Sequence, residues 1–251
     1  MIGIIGHKGF IGSALIRACQ KFGYEFMGIT RLDVIASNCD VIIDCNGNSK
    51  KFEVNANRNV GYISIVGSVI DRLKETRIDQ DYVYISSGEV YGFQQKLSSE
   101  IDEINLQDIS DYGMLKYEAE KLVRQSRNNH IIVRPSGFVG VGLQKNPIYD
   151  LLNGNKLYVH PESCFQFCDV DWFADTIVWL ALNKKFGVWN VSAKDTITLN
   201  EVSAITKLGI NQISVDAKIE HHELALNKLQ NWLEIPSTRA VVSSYIESVA
   251  P

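Results

Sequence analysis

The chain lacks closely paired cysteines, a long apolar run, an excess of positive charge and any internal repeat, and each absence removes a class of protein. Its five cysteines, Cys19, Cys39, Cys45, Cys164 and Cys168, are odd in number and scattered. Without the short paired spacing of a zinc site they read as reduced cytosolic thiols, and no metal is expected. No apolar stretch reaches the roughly 20 residues that a membrane-spanning helix needs. The opening run Met1-Ile2-Gly3-Ile4-Ile5 is too short for a signal sequence and has no basic leader, so a cytoplasmic protein with no membrane partner is expected. Lys and Arg number 25 against 29 Asp and Glu, a formal net charge of −4, which argues against a general nucleic-acid-binding surface. A small-molecule partner is the expectation that remains.

What is present is ordinary globular material: 251 residues, 45% hydrophobic and 22% charged, enough for one large α/β domain or a core with a small appendage. Short apolar runs at Ile2 to Ile5, Tyr24 to Ile29, Val41 to Cys45, Tyr82 to Ser86 and His130 to Arg134 alternate with helical patterns. This is the βαβ rhythm of a parallel sheet. Ile11, Ala14, Leu15, Ala18 and Phe22 repeat at helical spacing and Gly23 supplies a stop. Longer helices fit Glu53 to Thr76 and Asp111 to Arg127, whereas Arg31 to Asp40 leaves room for little more than a turn. The rhythm changes after Pro135. Gly137, Gly140 and Gly142 mark loops, Asp171 to Leu182 reads as a helix and Val188 to Val191 as a strand. Thr198-Leu199-Asn200-Glu201 has the form of a capping box, and His221 to Leu233 and Arg239 to Val249 read as helices. The expected organisation is a nucleotide-binding core over residues 1–135 and a mixed region over 136–251, which adds late core elements and a small substrate-binding portion.

Gly6-His7-Lys8-Gly9-Phe10-Ile11-Gly12 lies between the first strand and the first helix, where a tight turn brings backbone amides and a helix N-terminus up to phosphate. A dinucleotide is the ligand expected there, although Gly-x-x-Gly-x-x-Gly departs from the Gly-x-Gly-x-x-Gly fingerprint. The second strand ends at Thr30-Arg31, where an NAD site usually places an acid for the ribose hydroxyls. A guanidinium there can hold a 2′-phosphate, with Lys8 as a second positive charge, so NADP is favoured over NAD. Asp33 is an alternative ribose partner, and Arg31 alternatively a solvated loop residue. Asp44-Cys45-Asn46-Gly47-Asn48, after the third strand, is expected to line the same edge, with Asn46 and Gly47 as its cofactor contacts.

Tyr112 and Lys116 stand four residues apart on the helix expected from Asp111, which puts a phenol and an ammonium on one face. A free phenol has a pKa of about 10, and a cation held close lowers it toward the range of a working acid or base.

Taken with the glycine loop, Ser86-Ser87-Gly88-Glu89-Val90-Tyr91-Gly92 and Tyr112-x-x-x-Lys116 resemble the extended short-chain dehydrogenase/reductase family, its NAD(P)-dependent epimerase/dehydratase group. Ser87 precedes Tyr112 by 25 positions, and Arg134-Pro135-Ser136-Gly137-Phe138-Val139-Gly140 is similar to the family's Arg-Pro-x-x-x-x-Gly segment. Phe167 to Ala174 is similar to its later Phe-Val-His-Val-Asp-Asp-Val-Ala segment. The likeness runs from residue 1 to about 205. It implies a Rossmann-type doubly wound parallel sheet with a small C-terminal substrate-binding portion. It also implies hydride transfer with a nicotinamide cofactor, with Tyr112 exchanging a proton with the substrate oxygen. Lys116 would lower the phenol's pKa and bind the nicotinamide ribose, and Ser87 would hydrogen-bond the same oxygen. Asn57 matches the asparagine that often completes the family's site, with Asn55 and Asn59 as rivals, and Pro135 falls at the cofactor edge.

The resemblance points to a reductase or epimerase of a nucleotide-linked sugar. Gly88 replaces one of the two acids that dehydratases of the family carry, while Glu89 keeps the other. A dehydratase or decarboxylase using Glu89 is therefore the alternative enzyme, and a non-catalytic NADP(H)-sensing regulator the alternative of another class. Phe165 and Gln166 stand where an arginine usually precedes the later segment, so a pyrophosphate contact is expected to be missing. Pairing of family members through core helices makes a homodimer plausible.

Overall fold

The computed structural model describes residues 1–30, 38–92 and 97–249. The chain opens with β1 (Ile2–Ile5), α1 (Phe10–Phe22), β2 (Phe26–Ile29) and β3 (Val41–Asp44). Three short helices follow: α2 (Lys51–Ala56), α3 (Arg58–Gly61) and α4 (Ser68–Glu75), the last two joined by a π-helical stretch, Tyr62–Gly67. Next come β4 (Asp81–Ile85), a 3-10 turn at Gly88–Tyr91, β5 (Leu97–Ser98), α5 (Asp111–Ser126), β6 (His130–Pro135) and β7 (Gly137–Val139). The rest is α6 (Pro147–Leu152), β8 (Cys164–Phe165), β9 (Phe167–Asp169), α7 (Val170–Leu182), β10 (Gly187–Val191) and β11 (Ile197–Thr198). It closes with α8 (Leu199–Thr206), β12 (His221–Leu224), α9 (Asn227–Gln230) and α10 (Thr238–Val249).

The chain divides into two compact units, one formed by Met1–Gly92, Glu103–Pro135 and Asp171–Trp189, the other by Phe93–Asp102, Ser136–Val170 and Asn190–Pro251. The first unit is built on a six-stranded sheet of order β10-β6-β4-β3-β1-β2, with parallel pairing from β2 through to β6. Its inner strands β1, β3, β4 and β6 are buried on both faces, which is why their sequences read as nearly unbroken apolar runs. Ile42, Tyr82 and Tyr84 face a cluster with Val54, Val66, Leu115, Ala119 and Val123 from the α2 to α5 segment, while the period of two turns Ile43 and Val83 to the other face. There α1 packs on β1 and is tied to α7 by Arg17 to Asp171 and Lys21 to Asp175, both at 2.6 Å. This is the expected doubly wound α/β fold. The strand order reverses at β1, flanked by β2 and β3, and crevices at the carboxyl ends of such strands are where ligands bind.

Two helices expected from sequence take a different form. The pattern from Glu53 to Thr76 is broken at Asn57, whose backbone is extended (φ −146°, ψ 92°) and whose side chain accepts hydrogen bonds from the amides of Asn59 and Val60. An asparagine that caps a new helix in this way competes with continuing the old one. The restart matters for packing. A Cβ on Gly61 would meet Val54 Cγ1 at 2.4 Å and Leu115 Cδ1 at 2.7 Å, so the glycine lets α3 lie close to α2 and α5. The second departure is His221 to Leu233, where His221–Leu224 is a strand paired with β5 and β8 and only Asn227–Gln230 is helical. Strand partners distant in sequence override the local helical pattern there.

The second unit carries the sheet β11-β8-β12-β5, the pair β7-β9, and a core of Val139, Ile148, Leu151, Phe167, Leu199 and Val242. The capping box forms as expected: the Thr198 hydroxyl accepts from Glu201 N at 3.1 Å while the Glu201 carboxylate accepts from Thr198 N at 2.9 Å. Gln166 is buried, and its amide bonds Leu224 in both directions, accepting from N at 2.8 Å and donating to O at 3.2 Å. It joins this unit's strands, a structural task for the residue standing where the family usually has arginine nearby.

Candidate active site

The glycine loop takes the form that its sequence implies. Gly6 adopts φ +83°, a conformation that L side chains rarely adopt, and Gly9 is the N-cap of α1 with no side-chain hydrogen bond covering the helix end. Gly12 is required for closeness: a Cβ there would stand 2.2 Å from Gly6 O and 2.6 Å from His7 Cα. Phe10 and Ile11 form the first turn of α1, which carries no acidic residue, and Lys8 is exposed beside it. The helix thus presents uncapped backbone amides without an opposing carboxylate, a good seat for phosphate. His7 lies against β2, since a Cβ on Gly28 would meet its ring at 2.6 Å, and its buried Nδ1 has no hydrogen-bond partner among the described residues. A close backbone cradle and an orphaned polar atom beside β2 fit a dinucleotide at this turn.

At the end of β2 the Thr30 carbonyl accepts from the Arg72 guanidinium of α4 at 2.9 Å. Arg72 is buried and ion-paired with Glu75 at 2.6 Å, and a hollow of about 290 Å³ opens here among Ser68, Asp71, Arg72, Lys74 and Glu75. The sequence reading did not single out Arg72; a lone arginine on an amphipathic helix gives no signal of its own. Arg31 and Asp33 lie outside the described residues. Asn46 donates from its side chain to Ser68 Oγ at 2.9 Å, which ties the β3 loop to α4.

Ser87, just beyond β4, caps the following 3-10 turn, accepting from Glu89 N at 3.2 Å. Across from it, Ser110 caps α5 by accepting from Gly113 N at 3.2 Å, so the helix begins just before Tyr112, and Tyr112 and Lys116 both project from its first half. Gly113 permits this approach, because a Cβ would stand 2.3 Å from Glu89 O. The Tyr112 phenol lies near the Ser87 hydroxyl. Burial pushes its pKa well above the usual 10, the Glu89 charge adds to that, and the Ser87 hydroxyl works against them. Glu89 is itself held by Lys51 of α2 at 2.8 Å.

Lys116 is 6% exposed, and its Nζ donates to Ile85 O at 3.0 Å and lies 5.1 Å from the centre of the Tyr84 ring. Burial brings its pKa down to about 8, with Asp44 foremost and Glu120 next among the groups that resist the fall. A Cβ on Gly47 would come to 3.6 Å from Nζ, so the loop after β3 passes directly beside the ammonium. Ser87, Tyr112, Lys116, Glu89 and Gly47 are thus brought together within one unit.

Asn57 stands apart from them as an exposed helix cap, whereas its rival Asn55 accepts from Tyr112 N at 3.0 Å. Pro135 ends β6 at the same carboxyl edge of the sheet. Behind it, Arg134 and Glu120 form a buried pair at 2.7 and 3.0 Å, with Ser86 Oγ on Glu120 at 2.5 Å and Tyr91 Oη on Arg134 at 2.9 Å. Every charge in this group is matched, as burial requires.

The model of the NAD dependent epimerase/dehydratase family matches residues 2–192. The chain belongs to this family. That makes it an NAD(P)-dependent enzyme with a Rossmann-type fold. No curated protein matches it in sequence. Among solved structures it resembles dTDP-4-dehydrorhamnose reductase of Bacillus anthracis in complex with NADP, with a TM-score of 0.81 and 18% identity over 99% of this chain and 98% of that one. It also resembles MoeE5 in complex with UDP-glucose and NAD (TM-score 0.84, 18% identity, 98% and 97% covered) and a UDP-galactose 4-epimerase (0.79, 18%, 99% and 98%). Identities this low establish the common fold. No helix among the described residues is long and apolar enough to cross a membrane.

Proposed function

We propose that the protein is an NADP(H)-dependent reductase or epimerase of a nucleotide-linked sugar, with Tyr112 as the proton-exchanging group. The observation that carries this is a buried Lys116 beside Gly47, one helical turn from a Tyr112 phenol that lies near the Ser87 hydroxyl. The cofactor would rest on the Gly6 to Gly12 turn and supply or accept hydride at a substrate carbon. Tyr112, kept protonated by burial, gives its proton to a substrate carbonyl oxygen as that oxygen becomes a hydroxyl, and Ser87 donates to the same oxygen. Lys116 keeps N–H groups for the nicotinamide ribose and puts positive charge near the phenolate that Tyr112 becomes. Asn55, through Tyr112 N, fixes the start of the helix that aims the phenol.

The preference for NADP(H) rests on the sequence, in which Thr30-Arg31 follows β2 where an NAD site usually has an acid and Lys8 adds a second cation in the glycine loop. The nucleotide-sugar substrate is supported by family membership and by the substrates named for the similar structures. The Lys51 pair weighs against Glu89 as a free acid for eliminating water. The test is to incubate the chain with NADPH and a panel of nucleotide sugars and their keto forms, following cofactor oxidation and product stereochemistry. Tyr112→Phe is expected to bind NADPH within a few fold of the wild type and to lose turnover by about 10²-fold or more. Full activity of that variant would overturn the assignment.

A further inference from the structure

Asp44, the last residue of β3, is a fully buried carboxylate in the central sheet that the reaction just described does not use. Its surroundings place it on the face that carries Lys116. Asp44 is the Cα partner of Tyr84 in the parallel β3–β4 pairing, and paired residues of adjacent strands share a face. Tyr82, two residues before Tyr84, lies on that face as well and donates from its hydroxyl to Asp44 Oδ2 at 2.8 Å. The Lys116 ammonium sits over the Tyr84 ring and donates to Ile85 O. The second carboxylate oxygen, Oδ1, accepts from Asn46 N at 3.0 Å, which folds the chain toward Gly47, the glycine beside Nζ. Both oxygens therefore act as acceptors, the pattern of an ionised carboxylate; burial raises the pKa of Asp44, and the Tyr82 and Asn46 hydrogen bonds and then the Lys116 charge oppose that rise.

We propose that Asp44 is a positioning residue that acts through Lys116: its charge keeps the buried side chain an ammonium while Asn46 and Gly47 are folded past it. This rests on the reading of Lys116 as a cofactor and tyrosine partner. The charged and titratable groups around Lys116 are few. Asp44 and the Cys45 thiol come from β3 and its end, the Tyr84 phenol from β4, and Tyr112 and Glu120 from α5 itself. Glu120 is already matched by Arg134 of β6, and Arg72 of α4 acts on Asp44 as a more remote cation. Asp44 is thus the one carboxylate facing Lys116, among the described residues, whose neutralisation falls to Lys116.

The test needs neither substrate nor cofactor. The full chain, isotope-labelled at lysine Cε, is titrated by NMR, with the Lys116 signal assigned by its loss in Lys116→Arg. The wild-type midpoint is expected near 8. Asp44→Asn, whose amide still offers partners to Tyr82 and Asn46, should lower it by about one unit or more. An unmoved midpoint overturns the proposal. If Asp44→Asn does not fold, the reciprocal measurement replaces it: in Lys116→Met the Asp44 Cγ signal should titrate at higher pH than in the wild type, because coupling between two sites is mutual. An Asp44 midpoint unchanged by loss of Lys116 sinks the proposal equally. Failure to turn over any nucleotide sugar would strike the functional reading and leave this coupling untouched.

Discussion

At the residue scale, the phenol and the ammonium are each held away from their solution behaviour by burial, in opposite directions. Burial raises the Tyr112 phenol above its usual pKa, in keeping with the proposed role of proton donor, and lowers Lys116 to about 8. Glu89 supplies part of the upward push on Tyr112, so its charge tunes the site from outside. Removing that charge lowers the phenol's pKa. Glu89→Gln is therefore expected to move the onset of the oxidation direction, which needs the phenolate, to lower pH and to keep turnover within about tenfold, less than loss of a general acid or base would cost. Complete loss of activity would instead favour elimination chemistry with Glu89 as its acid. The measurement is a pH profile of the wild type and Glu89→Gln in both directions.

At the element scale, the site depends on where helices begin. Ser110 starts α5 so that Tyr112 and Lys116 meet β4, and Asn57 starts α3 after a break. Asn57→Ala removes a cap and should cost about 1 kcal/mol, with turnover on any accepted substrate retained. Thermal unfolding alongside the activity assay separates this from a catalytic role, in which turnover falls and stability holds. Gly12 sets the opposite edge of the site. Its missing Cβ leaves the space beside Gly6 O, and Gly12→Ala would have to push the turn open.

At the scale of the whole molecule, cofactor binding is a stability term. A ligand that binds only the folded protein at about 100 times its Kd adds about 2.7 kcal/mol. For a unit of this size that corresponds to a rise in Tm of about 5–11 °C, at about 2–4 °C per kcal/mol. NADPH is expected to give the larger shift at equal concentration and NADH the smaller, and Arg31→Ala to narrow the gap. Equal shifts from the two cofactors in the wild type would reverse the preference.

Much of the fold was legible in the sequence because its signals are local. Apolar runs marked β1 to β4 and β6, the capping box marked α8, and the glycine turn and the Tyr112 to Lys116 spacing need only neighbouring residues to be recognised. The sequence by itself determined the parallel-sheet class and which side chains could do the chemistry, since periodicity and turn residues act over a few positions. Only the tertiary structure decided what surrounds them. Asp44 meets Tyr82 across 38 positions, Lys51 meets Glu89 across 38, and Arg134 meets Tyr91 across 43. His221 to Leu224 became a strand through partners at Leu97 and Cys164. Burial and charge pairing depend on such distant contacts, and they, rather than spacing along the helix, shift the pKa values of Tyr112 and Lys116.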